Sequence, residues 1–379
     1  MTTSLHWRTT AAAVAATFVL TACGGGGGGD SPATPATPGG TGTTTPNPTP
    51  TPTPTPTTPT TPADPTPVVP SPTPDPTPTN PTPTDPAPAP TPAPNPNAPA
   101  PGEGETGAPV VTGSIAVDGR NWINFRRAQI GMPVTAENAQ INNAALGHSE
   151  YLRLNETITH DQIAGRPGFT GAQLGARLTA AGYTMPTNQG YAYGEVISGS
   201  QRSCGSCMAE ELITAIYHRF VIFEPMFREI GTGATTAASG YNYFTADFAT
   251  RNGFTTGIAA NTLVVWPFNG QTRVPNYFLS DTEQPDPIQG YNAVGYPISV
   301  HANLNAPVTV TSFTVRQRGA STDLVTRTVN PLTADVKTAA SIVPLAVLLP
   351  STTYDVSFVG KVNNVAVTRN WSFTTAAVQ

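Results

Sequence analysis

Apolar residues fall into four regimes along the chain. From Ala11 to Leu20 they form one short continuous run. Between Ser31 and Ala108 they have no period, because Thr-Pro and Pro-rich repeats fill the stretch and no aromatic residue interrupts them. From about residue 113 to 255 they recur mainly at helical spacing, and beyond Thr262 they alternate as strands do. The third regime predicts a helix over Asp118–Ile130, capped by Asp118, with Trp122, Phe125, Arg126 and Gln129 at helical intervals and Gly131 as the stop. A second helix is expected over 137–155, its apolar face carrying Ile141, Ala144, Ala145, Tyr151 and Leu152, with His148 inside the stripe as a packing residue. A third is expected over 171–181 with Gly182 as its C-cap, and a fourth over 208–220 with Leu212, Ile213, Ile216 and Phe220 inward. Ala192–Ile197 reads as a strand, and 231–238 with 241–248 as a hairpin turning at Ser239-Gly240. Three or four helices with a small sheet in this order imply an α+β sandwich.

In the fourth regime, Leu263–Trp266, Val308–Val315, Tyr354–Val359 and Val365–Phe373 read as strands, with Asn363-Asn364 as a hairpin turn. Trp371 and Phe373 alternate as an inward pair facing Tyr354, Val356 and Phe358, while Trp266 and His301 carry no site pattern. Strands without helical patterning imply an immunoglobulin-like β-sandwich, and the ends of this region resemble bacterial Ig-like modules of cell-surface proteins.

Composition changes the domain count. Of the 42 prolines in 379 residues, 29 lie between residues 31 and 110, so the remainder suffices for two compact cores. The expected organisation is an export signal over 1–22, a tether over 23–112, an α+β domain over 113–259 and a β-sandwich over 260–379. Only 11% of residues are charged, the formal net charge is −5, and Lys and Arg form no stripe, which argues against a nucleic-acid partner. The Ala11–Leu20 run is too short to span a bilayer as a helix. Leu20-Thr21-Ala22-Cys23 resembles the bacterial lipoprotein box, which implies cleavage before Cys23, lipidation of that cysteine and anchoring to a membrane. Gly24, in place of Asp, points to the outer membrane of the cell envelope. Alternating proline favours extended polyproline II at roughly 3.1 Å per residue, giving a reach on the order of 200 Å.

Lipidation consumes one of three cysteines and leaves Cys204-Gly205-Ser206-Cys207. Such a pair can be a redox dithiol, half a zinc knot or a local disulfide. No second pair exists to complete a four-cysteine zinc site, and an exported compartment favours a disulfide stapling the start of the following helix.

Several motifs occur in a family order: Asn124-Phe125-Arg126 with Gly131, His160 in a loop, Arg177 with Ala181-Gly182-Tyr183, Gly194-Glu195, His218-Arg219, and Phe227-Arg228-Glu229-Ile230-Gly231-Thr232-Gly233. Together they resemble the bacterial branch of the CAP superfamily, the cysteine-rich secretory, antigen 5 and pathogenesis-related 1 proteins, also called SCP-like. The resemblance implies an α-β-α sandwich whose cleft is lined by His160, Glu195 and His218 and can hold a divalent metal. Two imidazoles and a carboxylate suit Zn2+ or serve general-base chemistry. Glu211, seven residues before His218 and on the same line of an ideal helix, is the candidate to orient it. No Gly-x-Ser-x-Gly elbow and no His-Glu-x-x-His motif occurs. The leading expectation is non-catalytic binding of an extracellular or envelope ligand, whether lipid, glycan or peptide. A metal- or base-assisted hydrolase of peptide or cell-wall material and an adhesin acting through the β-sandwich are the alternatives.

Overall fold

The computed structural model describes residues 104–379 apart from 187–189, 255–256, 332–336 and 378–379, together with the backbone of Phe18–Gly25; the export segment before Phe18 and the tether over 26–103 lie outside the described residues. The N-terminal region is mixed α+β. Its helices are α1 (Ile115–Gln129), α2 (Ala139–Asn155), α3 (Leu174–Ala180), α4 (Gly205–Thr214) and α5 (Ile216–Ile222). Its strands are β1 (Phe18–Gly25), β2 (Ala136–Glu137), β3 (Ala192–Ser200), β4 (Glu229–Thr236) and β5 (Asn242–Thr250).

Ser114, not Asp118, caps α1, its hydroxyl accepting from the Val117 amide. Asp118 instead accepts from the Thr112 and Gly113 amides and so ties down the chain entering the helix. Asn138 caps α2 through the amides of Gln140 and Ile141. Gly182 follows α3 with φ of 85°, a left-handed value that suits glycine at a helix end. Cys204 and Cys207 form a disulfide, their Cα atoms 5.4 Å apart, and the Cys204 sulfur accepts from the Cys207 amide at the start of α4. The expected staple is therefore where the sequence put it.

The run expected as one helix over 208–220 is two. The chain straightens at Ala215, with ψ of 124°, which ends α4 and begins α5. Arg219 holds this break open: its guanidinium donates to the carbonyls of Ile213 and Thr214, two orphan acceptors at the end of α4. The same side chain donates to the Pro297 carbonyl and the Ser299 hydroxyl.

The main sheet has the order β2-β4-β5-β3-β1-β9, where β9 is Glu283–Gln284 from the C-terminal region. β4, β5 and β3 pair antiparallel, and β1 runs parallel to β3. Helices cover both faces. On one, Gly231 and Gly233 lie against the backbone of α2. On the other, Thr232 donates its hydroxyl to the Ala116 carbonyl of α1, and Phe244 lies on Gly119.

The C-terminal region is almost all β. A four-stranded sheet, β13-β14-β11-β6, joins Thr326–Val329, Ala339–Pro344, Ile298–His301 and Val264–Trp266. A second, β12-β15-β16-β7, joins Val308–Gln317, Thr353–Val362, Val365–Thr375 and Gln271–Val274. A small pair, β8 (Tyr277–Leu279) with β10 (Ala293–Gly295), completes it. Asn363 and Asn364 turn β15 into β16 with φ of 51° and 64°, as their sequence predicts. Trp371, Phe373, Tyr354, Val356 and Phe358 are all buried, on the inward side that the alternation predicts. One buried apolar cluster runs through both regions, with Met208, Phe223 and Phe244 on one side and Trp266, Tyr296 and Ile298 on the other. No described helix is long and apolar enough to cross a membrane.

Candidate functional site

Glu195 is fully buried on β3, on the face covered by α2, and three side chains converge on it. Arg177 of α3 donates to one oxygen at 2.6 Å, and His160 Nδ1 meets the other at 2.7 Å. His148 of α2 stands 3.9 Å away. Burial pushes the Glu195 carboxyl up, but Arg177 first, then His148 and His160, more than offset it and hold the group well below the usual carboxylate range. Arg177 also donates to the His160 carbonyl, so one guanidinium fixes both the acid and the loop that carries the imidazole. An ionised Glu195 accepts the Nδ1 proton of His160, which leaves Nε2 as the free nitrogen; that atom is buried and has no hydrogen-bond partner among the described residues.

His148 is a packing residue, as expected. Its Nε2 donates to the Thr159 carbonyl and its Nδ1 accepts from the Gln162 amide, while burial pushes its pKa down to about 4 against the pull of Glu195. By holding Thr159 and Gln162, it braces the loop on either side of His160. Asp247 of β5 pairs directly across from Glu195. Burial and then the Glu195 charge push its carboxyl well above the ordinary value. A cavity of about 440 Å³ opens next to this cluster, lined by Asp161, Gln162, Gln173, Gly175 and Tyr193.

His218 does not share Glu195. Its Nδ1 meets Glu283 Oε1 at 2.7 Å, and the same oxygen accepts from the amides of Tyr217 at 2.7 Å and His218 at 3.0 Å. Glu283 thus caps α5 from β9, supplying what Ala215 at the N-cap lacks, and orients the imidazole in one stroke. Like His160, His218 has a buried Nε2 with no partner among the described residues. Glu211 is corrected from the orienting role: the break at Ala215 removes the continuous helix that the seven-residue spacing assumed, and its carboxylate pairs with Arg202. Its neighbour Glu210 is buried and accepts from Trp122 and Arg126.

The two histidine–glutamate dyads lie on the two sides of β1. Glu195 is in register with Thr21 and Glu283 with Gly24. Among the described residues no group of three or more His, Cys, Asp or Glu side chains could together hold a metal ion. Sequence reasoning missed Asp247 and Glu283. Asp247 was findable as a lone acid inside an apolar strand, whereas nothing local marks Glu283.

No protein-family model and no curated protein matches the sequence. Among solved structures, an extracellular SCP-domain protein of Bacillus anthracis aligns with a TM-score of 0.29 and 22% identity, over 35% of this chain and 39% of that one. An outer surface protein of Borrelia burgdorferi aligns with a TM-score of 0.29 and 14% identity, over 35% of this chain and 89% of the other. The chain therefore covers well under two thirds of the first protein. Both are weak, partial structural similarities.

Proposed function

We propose that this chain is an envelope lipoprotein that binds an extracellular or envelope ligand, without catalysis, in the cavity beside the His160–Glu195 dyad; the His218–Glu283 dyad lies on the opposite face of the sheet, since Glu283 is in register with Gly24 and Ser198. In this reading the lipid sits on Cys23, residues 113–259 form a CAP-type α-β-α sandwich, and residues 260–379 form an Ig-like module that lends Glu283 to His218. One observation carries the reading. Each imidazole is locked through Nδ1 by a carboxylate, and each keeps a buried, unpartnered Nε2. An unmet buried nitrogen is costly unless something bound answers it.

The same arrangement favours a divalent cation as part of the bound state. A ligating histidine characteristically gives its other ring nitrogen to a carboxylate, which fixes the tautomer and raises basicity. At His160 the free Nε2 would meet Zn2+, with water or the ligand completing the coordination and with Glu195 holding the ring instead of ligating.

Calorimetric titration of the full chain with Zn2+ tests this. His160→Ala should weaken binding at least about tenfold, His148→Ala should weaken it less by loosening the loop that carries His160, and Glu211→Gln should leave it within about twofold, with folding checked by circular dichroism. Equal affinity in all four proteins would remove the metal from the reading.

A further inference from the structure

The Cys204–Cys207 disulfide is weakly motivated as a staple alone. Stabilisation by a disulfide grows with the length of the loop it closes, and this one spans a sequence separation of 3. The start of α4 is also held without it. A Cβ at Gly205 would lie 2.2 Å from the Ile115 carbonyl oxygen, so α4 packs backbone to backbone on α1. Met208, Ala209 and Leu212 then bury the same helix in the core.

The two sulfurs are placed unequally. Cys204 is the N-cap of α4 and half-buried, with Gln201 and Ser203 exposed beside it. Cys207 lies in the first turn and is only 2% exposed. A thiolate arriving from solvent therefore reaches Cys204 and not Cys207. The Cys204 sulfur accepts from the Cys207 amide at 3.2 Å, so a helix N–H already points at it. The first turn of α4 holds no acidic side chain to oppose a negative sulfur. Such amides and the helix dipole stabilise a thiolate, lower its pKa and make it a better leaving group.

We propose that Cys204–Cys207 is a thiol–disulfide exchange site whose substrate is a pair of cysteine thiols in an unfolded segment of another exported polypeptide. One substrate thiolate attacks the Cys204 sulfur. The bond to Cys207 breaks, its electron pair leaves on the Cys207 sulfur, and a mixed disulfide forms at Cys204. The second substrate thiolate attacks the substrate sulfur of that bond, and Cys204 departs as a thiolate onto the Cys207 amide. The substrate pair is oxidised by two electrons and Cys204–Cys207 is reduced by two, the two substrate thiol protons passing to the protein sulfurs or to solvent. An unfolded segment is required because both substrate thiols must come together at one sulfur. This activity is independent of the cavity beside His160.

The test uses the full chain carrying Cys23→Ser, so that only this pair exchanges. The oxidised protein is mixed with a synthetic peptide bearing two cysteine thiols, quenched in acid and read by mass. The peptide should lose two hydrogens and the protein gain two, at least about tenfold faster than the peptide is oxidised by equimolar oxidised glutathione. In reduced single variants at pH 6.5, Cys204 of Cys207→Ser should react with iodoacetamide at least about tenfold faster than Cys207 of Cys204→Ser. Circular dichroism checks that both variants are folded. Peptide oxidation no faster than with glutathione makes the link a structural staple and overturns the proposal. Equal alkylation of the two cysteines overturns it as well, because access would then depend on opening of α4. If either variant fails to fold, peptide oxidation decides alone, since it changes neither cysteine of the pair.

Discussion

At the scale of single residues, the site is a matter of which carboxylate reaches which imidazole. Glu283 places three hydrogen bonds on one oxygen, two to the amides of α5 and one to His218 Nδ1. Hydrogen bonds to a charged group contribute more than neutral ones, so Glu283→Ala should destabilise the protein by about 3 kcal/mol. It should also change the tautomer signature of His218 in nitrogen NMR. Glu211→Gln breaks only a half-exposed pair with Arg202 and should cost less than about 0.5 kcal/mol, leaving His218 signals in place. If the two substitutions perturb His218 equally, Glu283 does not orient it.

At the scale of elements, close approach of β4 to α2 decides how tightly the layers sit. A Cβ added at Gly231 would lie 2.2 Å from the α2 backbone at Ile141 and Asn142, and one at Gly233 would lie 2.2 Å from Leu146. Both contacts are with main chain, which cannot swing aside. Gly231→Ala should therefore cost about 3 kcal/mol or more in denaturant unfolding. Retention of stability within about 1 kcal/mol would mean that α2 slides freely on the sheet. The break between α4 and α5 belongs to the same scale. Ala215 is a strong helix former, so the sequence gives no reason to stop there, and the stop is imposed by Arg219 and Glu283.

At the scale of the molecule, two histidines are buried in neutral form. His148 is pushed down to about 4 by burial, and His301 to about 3 by burial and then Arg219. The unfolded chain takes up protons on both near pH 6.5, while the fold resists until far lower pH. The stability they contribute is thus complete above about pH 6.5 and is lost progressively as pH falls towards the folded values. His301 packs edge-on against Phe220 and Phe223, so His301→Leu keeps an apolar contact while removing the titration. The loss of stability between pH 7 and pH 5 should be smaller in this variant by about 2 kcal/mol, read from denaturant midpoints at the two pH values. An unchanged difference would show that His301 is protonated in the fold.

What the sequence determined by itself was whatever depends on near neighbours in the chain. Periodicity placed α1, α2, β3, the β4–β5 hairpin and the long C-terminal strands, and the Asn363-Asn364 turn and the Cys204–Cys207 staple followed from local chemistry. Short strands such as β7, β8, β10 and β11 are not legible in the sequence, because three or four residues hold too little pattern to separate from a loop. Motif order picked out His160, Glu195 and His218, but not how they are partnered. The pairing of Glu195 with His160, Arg177 and Asp247, and of His218 with Glu283, joins residues far apart in sequence. Only tertiary structure decides that, because a carboxylate in the interior stays ionised where distant donors gather around it, and no local spacing records which donors those are.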